Sequence, residues 1–93
     1  MSEVTLIGYI VVPLSDLDAV MTELPTHIRL TRDEPGCIEF HVTCDKSKPT
    51  IYHVSERFDS PEAFSKHQDR VRTSKWGDIT TNVERHYTIT GID

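Results

Sequence analysis

The chain has 93 residues, with 10 Lys+Arg against 15 Asp+Glu, a net charge of -5 and 37% hydrophobic residues. This length supports one domain over residues 1–93, and surface scaling buries roughly 64% of the unfolded area, which leaves a thin core. The composition excludes disorder, the acidic balance argues against nucleic-acid binding, no apolar run approaches the ~20 residues of a membrane span, and Met1-Ser2-Glu3-Val4 does not read as a signal peptide.

Val4–Val12 reads as the first strand. Its even positions (Val4, Leu6, Gly8, Ile10, Val12) and its odd positions (Thr5, Ile7, Tyr9, Val11) are both largely apolar, which predicts cover on both faces. Pro13 ends the strand, and Ser15 or Asp16 is placed to cap a helix. Leu17, Val20, Met21, Leu24 and Ile28 form a helical stripe. Pro25 has no N–H to bond the Met21 carbonyl, so a kink or restart is expected there. Glu34-Pro35-Gly36 predicts a turn.

Cys37–Cys44 alternates, with Ile38, Phe40 and Val42 on one face and Glu39, His41 and Thr43 on the other. The two cysteines end this strand, on opposite faces and about 23 Å apart in a flat strand. A disulfide needs under ~7 Å, so free thiols in a cytoplasmic protein are expected. Asp45–Pro49 is a polar hairpin loop, and Thr50–Phe58 is the third strand, with Tyr52, Val54, Glu56 and Phe58 sharing a face. Asp59-Ser60-Pro61-Glu62 starts a helix: a capping residue, Pro at the first position, then an acid. Ala63, Phe64, His67 and Val71 lie on one side of it. A short segment carries Trp76, Ile79 and Val83, and Tyr87–Ile92 closes the chain as a fourth strand, with a start near Val83 as the alternative.

The order is β-α-β-β-α-β, an α+β ferredoxin-like arrangement. Right-handed crossovers put both helices on one face of a four-stranded antiparallel sheet and leave the other face bare. The doubly apolar first strand then points to an association surface, best covered by a second copy of the sheet, so a homodimer is expected.

No phosphate loop, dinucleotide fingerprint, nucleophile elbow or paired-cysteine motif is present. The histidines (His27, His41, His53, His67, His86) have no metal-motif spacing, so no metal is expected; His41 and His53 sit on neighbouring strands. His67 is the candidate of most interest. Helical spacing aims it at the sheet from an apolar face, where burial makes a neutral imidazole suited to general-base work. A core histidine satisfied by a carboxylate or carbonyl is the structural alternative. Glu56 breaks the apolar face of the third strand and needs a donor, with His67, the neighbours of Arg57 and Arg85 as candidates; a structural ion pair or strand-end exposure is the alternative. Trp76 follows a helix break, where it either lids a pocket or packs in the core.

Glu34-Pro35-Gly36-Cys37, the strand Tyr52–Phe58 with Glu56, and the run Asp59-Ser60-Pro61-Glu62-Ala63-Phe64 with His67 together resemble the antibiotic biosynthesis monooxygenase family. The resemblance covers nearly the whole chain. It implies ferredoxin-like protomers paired through their sheets as a dimeric α+β barrel, with a pocket between helices and sheet. It also implies oxygenation of small electron-rich aromatics, such as quinols, phenols or anthrones, by O₂ without metal, flavin or other cofactor. The family histidine corresponds to His67 and the strand glutamate to Glu56. Phe58 stands where many relatives have tryptophan, and the segment Gln68–Lys75 is longer than usual.

The primary expectation is therefore a cofactor-independent monooxygenase. His67 and Glu56 are its catalytic candidates, with Phe40, Tyr52, Phe64 and Trp76 against the ring. A non-catalytic small-molecule-binding or stress-associated dimer is the alternative, and haem binding or degradation ranks below both.

Overall fold

The computed structural model describes residues 2–92. Strand β1 (Val4–Val11) leads through a 3-10 turn at Leu14–Asp16 into helix α1 (Leu17–Arg32). Strands β2 (Cys37–Cys44) and β3 (Ile51–Phe58) form a hairpin, followed by helices α2 (Pro61–Arg72) and α3 (Lys75–Ile79) and strand β4 (Glu84–Thr90). The sheet is antiparallel throughout, in the order β2-β3-β1-β4. This is the ferredoxin-like arrangement, with β1 and β3 side by side in the middle.

One face of the sheet builds the core. Val4, Leu6 and Ile10 of β1 meet Phe40 and Val42 of β2, Tyr52, Val54 and Phe58 of β3, and Ala63 and Phe64 of α2. The other face is bare. Ile7 is 51% exposed and Tyr9 is 37% exposed, so β1 lays an apolar stripe along it. His53 and Arg57 on β3 and His86 on β4 flank that stripe with polar groups. The apolar character of the second face is thus concentrated on β1, with Ile51 of β3 beside Val11 at one end.

Four local expectations change. Helix α1 runs through Pro25 without a break. The carbonyl that Pro25 leaves without its helical donor belongs to Met21, which is 54% exposed, where water can take over that bond. Asp16 makes no side-chain cap; the chain instead enters α1 through the preceding 3-10 turn, where Asp16 N–H donates to Pro13 O at 2.9 Å. A register shift between Cys37 and Glu39 marks a β-bulge. It places the exposed Ile38 as the extra residue and turns Cys37 toward Phe58, so both cysteines fall on the helix-side face instead of opposite faces. Both are free thiols. Finally, the fourth strand spans Glu84–Thr90, beginning next to the Val83 alternative and ending before Ile92.

Two glycines shape the region around the site. Gly36 has φ +87 and a side chain there would collide with Ala63 and Asp59, so only glycine lets the chain turn sharply into β2. At Gly8, an added Cβ would lie 1.9 Å from the His86 carbonyl oxygen, so its absence lets β4 approach β1 closely.

Candidate active site

Three structural rules bring the site residues together. The 3.6-residue period of α2 turns His67 inward with Ala63 and Phe64. Ser60 anchors that helix, accepting a hydrogen bond from Ala63 N–H at 3.1 Å. The two-residue period of β3 turns Glu56 to the same side, directly opposite Phe40 on β2. Ser74 caps α3 through Gly77 N–H and so sets Trp76, only 8% exposed, over the end of the sheet. Between these elements lies a cavity of about 200 Å³. His67, Glu56, Phe40 and Trp76 line it, together with His27, Val54, Arg85 and Tyr87. Tyr52 and Phe64 are buried in the surrounding core and do not line it.

The two ring nitrogens of His67 have different surroundings. Nδ1 lies 3.0 Å from Glu34 Oε1 and 3.2 Å from Oε2. An ionised carboxylate only accepts, so Nδ1 carries the proton, and the lone pair of the neutral ring sits on Nε2. Glu34 also accepts from Arg70 Nε, and Arg70 donates onward to Thr31 Oγ1 at 3.0 Å. Glu34 thus fixes both the tautomer and the orientation of the imidazole. Nε2 faces Glu56 Oε1 at 3.8 Å, too far for a direct hydrogen bond.

Two buried side-chain atoms lack any hydrogen-bond partner among the described residues: Glu56 Oε1 and His27 Nδ1. Both residues line the cavity. An unpaired buried polar atom costs about 1–3 kcal/mol, so their convergence is not a neutral accident of packing. The His27 ring stacks on Trp76 with centroids 4.4 Å apart and planes 3° from parallel, and meets Phe40 edge-on at 5.3 Å.

Burial governs the protonation states. It pushes Glu56 up to about 7, with the Glu34 charge adding to it. It lowers His27 to about 3, helped by His67 and Arg70, so this ring is neutral at ordinary pH. His67 is lowered by burial, against the opposing attraction of Glu34. Burial and the Glu56 charge push the Tyr87 hydroxyl up to about 12. The cavity thus holds two neutral imidazoles beside a carboxyl group near its midpoint at neutral pH. Such an arrangement is chemically able to bind and move a proton, in an enclosure whose walls also carry Gln68, Thr80 and Arg85. Among the described residues no group of three His, Cys, Asp or Glu side chains converges to hold a metal ion, and no helix is long and apolar enough to cross a membrane.

Sequence reasoning missed His27, Glu34, Arg70 and Thr31. The signal for His27 and Thr31 was the spacing Val20, Leu24, His27, Thr31 along α1, which is as helical as the apolar stripe. Val20, His27 and Thr31 are buried, whereas Met21 of that stripe is exposed. No local signal marks Glu34, whose partner His67 lies 33 residues away.

The sequence profile of a family described as antibiotic biosynthesis monooxygenase matches residues 4–76. No curated protein matches the chain. Several solved structures share the fold. A provisionally named antibiotic biosynthesis monooxygenase from Nitrosomonas europaea superposes with a TM-score of 0.82 at 18% identity, covering 97% of this chain and 89% of the other. PA3566 from Pseudomonas aeruginosa gives 0.77 at 19%, covering 97% and 91%. Rv0793 from Mycobacterium tuberculosis gives 0.73 at 21%, covering 97% and 94%. At these identities the likeness concerns the fold.

Proposed function

Because the chain belongs to the antibiotic biosynthesis monooxygenase family, we propose that it oxygenates a small electron-rich aromatic hydroxyl compound with O₂ as the only co-substrate. The observation that carries this reading is the free Nε2 of His67, held toward Glu56 in the cavity while Glu34 secures Nδ1. A phenolic hydroxyl that reaches Nε2 donates its proton there, and its oxygen accepts from Glu56 when that carboxyl is protonated. His67 takes the proton, and the Glu34 carboxylate stabilises the imidazolium that forms. The phenolate is far more electron-rich than the phenol and passes one electron to O₂. The radical pair joins at a ring carbon, and the hydroperoxide loses water to leave a carbonyl. For a phenol with a free para position, one O₂ gives one quinone and one water, and the substrate supplies all the electrons. Phe40, Val54 and Trp76 enclose the ring and keep bulk water from the intermediates.

A cavity of about 200 Å³ is small beside the roughly 300–1,000 Å³ of drug-sized pockets, so one or two fused rings suit it. The experiment is oxygen uptake with menadiol and anthrone in air. The expected result is uptake above the protein-free rate, falling at least about a hundredfold in His67→Ala. Absence of uptake, or a rate unchanged by the substitution, overturns the reading in favour of a binding protein without turnover.

The same reading includes a homodimer. The exposed stripe of Ile7 and Tyr9 on β1 supports it, since a second sheet would bury those side chains. Sedimentation equilibrium at micromolar concentration checks this, and a monomer there rejects it.

A further inference from the structure

We infer that His27 is a ligand-recognition residue of this cavity, and that its Nδ1 and Glu56 Oε1 hold the two polar ends of one planar occupant. The inference takes the occupant to be the aromatic of the preceding reading, and adds that it carries a second polar group besides the reacting hydroxyl.

Four observations carry it. His27 is 4% exposed and Glu56 is 7% exposed, so neither orphaned atom has ready access to bulk water. Both residues line the same cavity, whose other walls combine apolar side chains with Gln68, Thr80 and Arg85. The His27 and His67 rings lie 6.3 Å apart, centre to centre, and Glu56 Oε1 lies 3.8 Å from His67 Nε2, so both orphaned atoms belong to the surroundings of His67. Finally, His27 is held in place on two sides, by the stack on Trp76 and by the edge contact with Phe40. A rigidly held, unpaired polar atom discriminates strongly, because a ligand lacking the complementary group leaves it unpaired.

The chemistry of His27 differs from that of His67. No carboxylate is hydrogen-bonded to its Nδ1 to stabilise a positive ring. His27 is therefore a binding and positioning residue, with the proton transfer left to His67. Orientation follows: one group of the ligand rests against His27, and the reacting hydroxyl is delivered to His67 and Glu56.

The test is anaerobic titration calorimetry with phenol, catechol, resorcinol and hydroquinone, which place a second hydroxyl at three different separations. Wild-type protein is expected to bind one diol roughly tenfold or more tightly than phenol. His27→Phe keeps a ring against Trp76 and should erase that preference, so that the diol binds no more tightly than phenol. His27→Asn keeps a polar atom near the Nδ1 position and should restore part of the preference. In the wild type, the imidazole nitrogen NMR shift of His27 should move with the preferred diol and not with phenol, which needs no variant to fold.

Diols that bind no more tightly than phenol, including no binding by any of the four, overturn the inference; ordered water then satisfies the two atoms. A preference that survives in His27→Phe also overturns it. Oxygen uptake is measured separately, so a protein that prefers a diol but consumes no O₂ keeps this inference and loses the monooxygenase reading.

Discussion

The two sides of His67 are built to opposite rules. On the Nδ1 side, Glu34, Arg70 and Thr31 form a network in which Glu34 accepts from both His67 and Arg70. On the Nε2 side, Glu56 Oε1 and His27 Nδ1 are buried without partners. The first side spends polar groups on holding the imidazole still. The second withholds them, at a cost in stability, in a space open to an occupant. The difference separates a half that holds the imidazole from a half left unpaired: satisfied polar networks rigidify, and buried unsatisfied groups are costly.

Substitutions on the two sides should therefore shift stability in opposite directions. The largest effect is expected for Glu34→Ala, which strips partners from both His67 and the half-buried Arg70. Urea unfolding at neutral pH should show a loss of about 3–4 kcal/mol. A loss below about 1 kcal/mol would mean that the network does not hold the helix, and the contrast fails.

Glu56→Gln should do the reverse. The folded carboxyl titrates near 7 against an ordinary 4.5. The native state therefore holds this proton more tightly than the unfolded state between those values, and the stability it contributes falls as pH rises through them. The penalty is complete above about 7. Relative to wild type, the glutamine variant should gain up to about 3 kcal/mol between pH 4.5 and 7, read from unfolding midpoints across a pH series.

His27 runs the opposite way. Its folded pKa near 3 lies below the ordinary 6.5, so its contribution to stability is full above 6.5 and is lost as pH falls toward 3. His27→Phe should remove that acid sensitivity, gaining about 2 kcal/mol on wild type as pH drops from 6.5 to about 5. In the wild type, Glu56 and His27 oppose each other through this range, so its stability should be flatter than that of either variant.

Ser60→Ala is the smallest case. It removes the α2 cap without touching either side of His67, and should cost about 1 kcal/mol while leaving ligand binding intact.

Much of the fold was legible because it rests on short-range periodicity. The alternation of β3 set Glu56 inward, and the period of α2 did the same for His67. The topology followed from element order and crossover handedness. What escaped had two causes. Polar residues on a buried helical face are invisible to a search for apolar stripes, so His27 and Thr31 went unread while exposed Met21 was counted. Contacts set by tertiary closure have no local trace: the Glu-Pro-Gly turn announced a turn, and nothing in it announced a partner for His67. The bulge at Ile38 is of the same kind, since an extra residue in a strand shows only against its neighbour's register.

Trp76 has a consequence of an optical kind. It is the single tryptophan of the chain, and His27 lies flat against it. A neutral imidazole perturbs indole emission weakly, whereas an imidazolium withdraws the excited electron and darkens it. The molecule therefore carries its own lamp at the edge of its cavity. Its brightness reports the charge on His27, with neither a label nor a substituted side chain.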